Sequence, residues 1–135
     1  MSTDRKLKMI LPKGRIQEKV LKILSRVGIK VNIEGRSYRP GCSDAEIEIK
    51  LLKPQNIPKL IDLGRHDCGF TGYDWVVEQN ADVEELIDTG YDPVRLIAAV
   101  PKKLAEKEAF RRKSLVVASE YRNLAKAYIE KAELD

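Results

Sequence analysis

The stretch that decides the fold runs from Lys8 to Gly28 and reads KMILPKGRIQEKVLKILSRVG. It begins with a short, mostly apolar run, which Pro12-Lys13-Gly14 interrupts. Apolar residues then recur at helical spacing, at Ile16, Val20, Ile23, Leu24 and Val27. This pattern predicts a strand, a tight turn and an amphipathic helix that Gly28 closes.

The rest of the chain repeats this alternation of strand and helix patterns. From Ala45 onward, apolar and polar residues alternate as far as Leu51, which predicts a half-buried strand. Further strands are predicted at 29–33, 68–71, 94–100 and 115–118, and a polar loop at 34–44. Helices are predicted at 57–61 (ending at Gly64), at 74–77 (capped by Asp74), at 83–87, and from 120 to the chain end (capped by Ser119). The alternation predicts an α/β domain with a largely parallel or mixed sheet.

The composition is typical of a globular chain with a small basic surplus. Its 135 residues suffice for one domain or part of one. The 25 Lys and Arg exceed the 21 Asp and Glu by too little to indicate nucleic acid, whereas a small anionic ligand fits. No apolar run approaches the roughly 20 residues of a membrane span, and the N-terminus lacks the apolar run of a secretory signal. We therefore expect a cytoplasmic protein with neither nucleic acid nor membrane as partner.

The residues that commonly bind metals are sparse. Cys42 and Cys68 lie far apart, and with one histidine in the chain they do not form a standard zinc site. We expect both thiols to be reduced, and Cys68 to be a buried packing residue. Glu46 and Glu48 are spaced to hold a metal, but a solvated strand face also explains them. We assign no protein metal site and no role to the histidine.

Two candidate anion or nucleotide sites lie where a strand passes into a helix. In the first, Gly14 lets the backbone approach an anion, the helix supplies its positive end, and Lys13 and Arg15 supply charged donors. A tight turn with two solvated cations is the alternative. In the second, Gly69 and Gly72 allow close approach, Thr71 and Asp74 offer groups suited to hydroxyls or a base, and Tyr73 is available for stacking. A helix cap is the alternative for Asp74.

Two other turns bear on function. The turn Pro54–Pro58 places the amide side chains of Gln55 and Asn56 where they can contact a base edge or a ribose. Asp88-Thr89-Gly90 copies the active-site tripeptide of aspartic proteases. Those enzymes consist almost wholly of strands, whereas a large part of this chain has helical periodicity, so the aspartic-protease interpretation fails on fold. We interpret Gly90 instead as the end of a helix.

An ordered set of motifs gives the chain a family resemblance. The motifs are Leu11–Ile16, Arg36–Pro40, Pro54–Pro58 and Asp67–Asp74, in that order. This set resembles the ATP phosphoribosyltransferases, which open histidine biosynthesis. Gly64–Asp74 is the most specific part, and Leu115–Asn123 resembles the first strand and helix of the family's second lobe.

The resemblance implies a lobe similar to periplasmic binding proteins, with a mixed sheet, plus the first βα unit of a second lobe. Residues 1–100 would be the first lobe, 101–114 a charged crossover, and 115–135 the start of a truncated second lobe. Residues Lys13, Gly14 and Arg15 would lie in the nucleotide part of the cleft, and Gly72, Tyr73 and Asp74 would approach the adenosine or ribosyl group.

The implied reaction transfers the phosphoribosyl group of phosphoribosyl pyrophosphate to N1 of ATP and releases pyrophosphate, with Mg²⁺. The family forms homo-oligomers, and some members need a regulatory subunit. The family's donor-phosphate loop would come after Asp135, and Pro54-Gln55-Asn56 departs from the Arg and acidic residue of many members. We therefore expect no product from the isolated chain. The alternative is a non-catalytic nucleotide-binding or subunit-interaction module.

Overall fold

The structure, a computed structural model, describes residues 5–105 and 115–133. It divides into two compact units, Met1–Pro93 and Val94–Asp135. A three-stranded parallel sheet with the order β4-β1-β5 forms the centre of the first unit. The strands are β1 (Leu7–Pro12), β4 (Ile47–Leu52) and β5 (Cys68–Gly69). The sequence prediction of an α/β fold with a parallel sheet is confirmed.

Strand β1 is central, and its last four residues, Met9–Pro12, are buried. It pairs with β4 from Leu7 opposite Ile47 to Pro12 opposite Leu52, and with β5 where Ile10 lies opposite Gly69. A central parallel strand is covered on both faces, so its residues are apolar on both. One face joins the core cluster formed by Met9, Leu11, Val20, Leu24, Ile49 and Leu51.

Helix α1 (Gln17–Arg26) follows β1 and packs on this cluster. Its buried residues, Val20 and Leu24, are one helical turn apart. Gly28, at φ +85°, ends the helix in the left-handed conformation, as the sequence predicts. The backbone N–H of Gly28 donates to the carbonyl of Ser25 at 3.1 Å.

A separate antiparallel pair follows, where the sequence predicts one longer strand and a loop. Strand β2 (Val31–Asn32) pairs with β3 (Gly41–Cys42), which lies inside the predicted polar loop. In the described residues, parallel and antiparallel pairing therefore occur in two different sheets, and the expected mixed sheet is wrong. The pairing is only two residues long, so no alternating pattern of useful length marks it in the sequence.

The segments after β4 and β5 are helical, and the first of them packs against the central sheet through Ile57. A 3₁₀ turn at Pro54–Asn56 leads into α2 (Ile57–Asp62), and α3 (Tyr73–Glu78) follows β5. Ile57 is fully buried, and its side chain lies close to Ile10 and Gly69. The helices predicted at 57–61 and 74–77 are thus present.

Three predicted elements are absent from the described structure. Residues 83–87 form no helix, because Leu86 and Ile87 stay exposed and so short a helix needs tertiary contacts. Residues 94–100 and 115–118 form no strands, since neither finds a hydrogen-bonded neighbour among the described residues. The predicted helix end at Gly90 is also wrong. The backbone N–H of Gly90 instead donates to Oδ1 of Asp88 at 2.8 Å, which makes a local turn.

In the described residues of the second unit, the helices are α4 (Lys102–Ala105) and α5 (Arg122–Lys131). The latter confirms the predicted final helix. Ser119 does not occupy the N-cap position, which is Tyr121, but its hydroxyl accepts a hydrogen bond from the Tyr121 N–H at 2.9 Å. The predicted lobe boundaries stay predictions, and 106–114 of the charged crossover lie outside the described residues. Among the described helices, none has the length and apolar character needed to cross a membrane.

Asp67 fixes the start of β5 to the start of β1. Its carboxylate accepts a hydrogen bond from the Lys8 backbone N–H at 2.8 Å and pairs with Arg5 at 2.6 Å. The backbone hydrogen bond from Lys8, aided by the Arg5 charge, lowers the pKa of Asp67. A carboxyl with a lowered folded-state pKa stabilises the fold above its unfolded pKa of about 4, and this stabilisation is lost as pH falls through the folded value.

We therefore expect Asp67→Asn to lower the urea midpoint of unfolding at pH 7. The difference from the native chain should narrow once the pH falls below about 4, because the native carboxyl then also becomes neutral. Urea titrations between pH 7 and pH 2 measure this difference. A difference that is the same at every pH would contradict the assigned charge effect.

Candidate functional site

The three turns that the sequence singles out meet at one edge of the central sheet. The segments Lys13–Arg15, Pro54–Asn56 and Thr71–Asp74 follow β1, β4 and β5, respectively. These strands are parallel and hydrogen-bonded side by side, so their carboxyl ends share an edge. In open α/β sheets this edge is where ligands bind. The structure therefore brings the turns of all eight predicted site residues to one place.

The turn after β1 is built by the backbone. The Lys13 N–H donates to the carbonyl of Leu52 at 2.8 Å, which extends the β1–β4 ladder by one bond. Gly14 then reverses the chain with φ +95°, a conformation that a side chain at this position would strain. Its carbonyl accepts from the Gln17 N–H at 3.1 Å, at the start of α1. The turn thus places Arg15 next to the positive end of a helix.

Lys13 has an aromatic partner that the sequence does not indicate. Its Nζ lies 3.5 Å from the ring centroid of Tyr38, within the range of a cation–π contact. Tyr38 belongs to the loop between β2 and β3 and is largely exposed. Sequence reasoning placed Tyr38 in a polar loop but gave it no contact, because no local pattern links the two residues.

Asp92 is a second residue of this region that sequence reasoning missed. Its Oδ1 accepts a hydrogen bond from Nζ of Lys19 at 2.7 Å, and its Oδ2 lies 3.7 Å from Nε of Arg15. The Lys19 hydrogen bond and the charges of both cations lower the pKa of Asp92. The Lys19 ammonium also lies 5.4 Å from the ring centroid of Tyr91. A contact between residues 73 positions apart leaves no signal in a single sequence.

The turns after β4 and β5 are tied together by side chains. The hydroxyl of Thr71 donates to the carbonyl of Pro54 at 2.8 Å. The side-chain amide of Gln79, just after α3, donates to the backbone carbonyl of Gln55. Both bonds run from the β5 side to the 3₁₀ turn, so they set the position of Gln55 and its neighbour Asn56 against the turn at Gly72. The sequence indicates Thr71 as a group that could contact hydroxyls or a base, whereas in the structure its hydroxyl is bonded to the Pro54 carbonyl. The sequence analysis assigns no role to Gln79.

Gly72, Tyr73 and Asp74 form the start of α3. Gly72 is the N-cap residue, so the prediction that Asp74 caps this helix is wrong. The carboxylate of Asp74 lies in the first turn, and a Cβ on Gly72 would overlap it. A negative charge there is stabilised by the helix dipole. Tyr73 is 68% exposed, which leaves its ring available to a ligand.

The remaining sequence candidates lie away from this edge or pair with other groups. Glu48 pairs with Arg39 at 3.2 Å, in agreement with a solvated strand face. Among residues 5–105 and 115–133, no three His, Cys, Asp or Glu side chains are grouped to hold a metal. His66 precedes β5 and so lies at the opposite, amino edge of the sheet. Burial, with the charges of Lys50 and Lys8, lowers its pKa.

The family model described as "HisG: ATP phosphoribosyltransferase" matches residues 53–135, which is more than half of the chain. The chain belongs to the ATP phosphoribosyltransferase family. The match contains the turns after β4 and β5, including Gln55, Asn56 and Gly72 to Asp74.

Curated relatives in the ATP phosphoribosyltransferase family match nearly all of this chain. The ATP phosphoribosyltransferase of Thermodesulfovibrio yellowstonii is 37% identical over 132 residues, which are 94% of this chain and 45% of the relative. That of Desulforudis audaxviator is 36% identical over 129 residues, which are 92% of this chain and 45% of the relative. The chain thus spans about half the length of the curated relatives it matches.

A solved structure shows the same fold. A chain of the ATP phosphoribosyl transferase (HisG:HisZ) complex from Thermotoga maritima aligns with a TM-score of 0.67. The alignment covers 95% of this chain and 60% of that one, at 24% identity. The likeness supports the α/β fold with its parallel sheet.

Proposed function

We propose that the Met1–Pro93 unit is the nucleotide-binding part of an ATP phosphoribosyltransferase. Family membership supports the reaction, and the meeting of three turns at the carboxyl edge of the sheet supports the location. The single observation that carries the proposal is the first turn, where Gly14, Arg15 and the start of α1 follow the central strand. Such a turn offers backbone N–H groups, a helix dipole and charged donors to a phosphate.

The proposed roles follow from the position of each turn. Lys13 and Arg15 would neutralise phosphate charge, while Tyr73 would stack on the base or contact the ribose. The amide side chains of Gln55 and Asn56 would contact a base edge. In the transfer, N1 of the adenine would form a bond to the ribosyl carbon as the bond to pyrophosphate breaks. These residues would act by positioning the nucleotide and by stabilising charge.

We propose that Mg²⁺ arrives with the phosphorylated substrates. The groups that the first turn offers are cationic and suit phosphate oxygens rather than a metal ion. Bound Mg²⁺ would supply neutralisation of charge on the leaving pyrophosphate. In this arrangement the chain's own contribution is to hold the metal-bearing phosphates through Lys13 and Arg15.

The finer features of the family are likewise proposals for this chain. They are a cleft between two lobes like those of periplasmic binding proteins, phosphoribosyl pyrophosphate as donor, and assembly with further copies or a regulatory subunit. The solved neighbour's description as a HisG:HisZ complex supports the last of these. The described part of this chain provides a candidate site for the nucleotide side of that cleft.

Nucleotide titration tests the proposal. ATP added to the chain should change the fluorescence of Trp75, which lies in α3 beside Tyr73 and Asp74. Arg15→Ala should weaken ATP binding about tenfold, because a charged hydrogen bond is lost. Arg26→Ala, an equal charge change at the other end of α1, is the control and should bind like the native chain. Absence of saturable ATP binding by the native chain would refute the proposed function.

A further inference from the structure

Asp92 lies where the proposed function requires a phosphate. Its carboxylate contacts both Arg15, which lies just before α1, and Lys19, which lies in the first turn of that helix. The side chains of Arg15 and Lys19 are 80% and 42% exposed, whereas that of Asp92 is 26% exposed. A dissolved anion can therefore reach the two cations from the solvent side while the carboxylate holds them from the protein side.

We propose that Asp92 is an internal counterion, which a phosphoryl group of the ligand displaces from Arg15 and Lys19. The inference rests on the proposed function, since it concerns the same turn. It adds a residue that sets which anions bind. A monovalent carboxylate ligand gains little by replacing another carboxylate, whereas a phosphate or diphosphate carries more charge and more acceptor oxygens. Asp92 thereby favours phosphoryl ligands over weakly charged anions.

The backbone at Asp92 makes asparagine a suitable test substitution. Asp92 is held at φ +48°, a left-handed conformation that Asp and Asn adopt more readily than other side-chain-bearing residues. Asparagine at this position therefore keeps the shape and the backbone while removing the charge. Lys19 also has the ring of Tyr91 at 5.4 Å, a contact that does not depend on the carboxylate. Lys19 would thus remain in place when the carboxylate leaves.

Calorimetric titration with inorganic tripolyphosphate tests the inference without a base or ribose. Asp92→Asn should bind tripolyphosphate about fivefold more tightly than the native chain, because the competing charge is gone. Asp92→Glu should restore affinity close to the native value. The control is Asp88→Asn, which makes the same change of charge at a residue that contacts the Gly90 N–H, and it should bind like the native chain.

Three outcomes would overturn the assignment of Asp92 as a counterion. Unchanged or weaker binding by Asp92→Asn would show that the carboxylate does not compete. An equal gain in affinity for Asp88→Asn would show that the effect comes from the net charge of the chain. Absence of tripolyphosphate binding by both the native chain and Asp92→Asn would show that Arg15 and Lys19 do not form an anion site. ATP titration of the same proteins separates the two proposals. If the native chain fails to bind ATP while Asp92→Asn gains affinity for tripolyphosphate, the proposed function fails and the counterion stands.

Discussion

Replacing Leu11 with alanine is expected to lower the free energy of unfolding of the Met1–Pro93 unit by about 2–5 kcal/mol. Leu11 is 1% exposed and belongs to the core cluster between the sheet and α1. Truncation removes three buried carbon atoms and leaves a cavity. Because β1 is hydrogen-bonded to a strand on each side, its backbone cannot shift freely to close that cavity. Urea unfolding followed by circular dichroism measures the loss.

Leu7→Ala is the matched control, because it makes the same substitution on the same strand at a residue that is 41% exposed. It should cost less than about 1 kcal/mol, since much of the removed surface was already in water. Equal losses for the two variants would contradict the structure, in which the Leu11 side chain is buried and that of Leu7, on the same face of β1, is exposed.

Replacing Gly69 with alanine is expected to destabilise the same unit by about 2–3 kcal/mol. A Cβ at this position would lie 2.8 Å from the backbone carbonyl oxygen of Ile10 and 3.2 Å from the Ile57 side chain. A backbone oxygen of the central strand cannot move without disturbing the sheet, so β5 itself must shift. Since β5 leads to the turn at Gly72, we also expect weaker ATP binding from the variant.

Gly41→Ala tests whether the loss comes from this close approach rather than from the change of residue type. Gly41 also lies in a strand, but a Cβ there would meet only the Cβ of Asn32, at 3.9 Å. Its unfolding free energy should stay within about 0.5 kcal/mol of the native value. A Gly69→Ala variant as stable as Gly41→Ala would contradict the packing of β5 against β1.

The elements that the sequence predicts correctly are those whose signal is local. The run at Lys8–Leu11, the alternation at Ile47–Leu51 and the helical period from Ile16 each mark one element, and each is present. The predicted strands at 94–100 and 115–118 are absent because an apolar run alone does not make a strand. A strand also needs a neighbouring segment with free N–H and C=O groups, and the run of residues does not show where such a segment lies.

In the candidate site, too, the local features could be predicted and the contacts between distant residues could not. Its turns could be found from glycines and charges beside predicted strands, and the parallel sheet then brought the turns to one edge. Its side-chain partners could not be found, because Tyr38 beside Lys13 and Asp92 beside Arg15 come from distant parts of the chain. Asp74 is a case in which a local signal misleads. Aspartate is favoured at N-caps, but Asp74 lies two positions beyond the N-cap residue, Gly72.

The central place of β1 has a consequence for how this unit forms during synthesis. Strand β1 leaves the ribosome before both of its partners, so one of its edges stays open until Ile47–Leu52 is made and the other until Cys68 and Gly69 follow. Non-local pairing of this kind slows folding, because the intervening chain must be closed into loops first. The turn at Lys13–Arg15 is therefore translated early but is set in its final surroundings only after most of the unit has emerged.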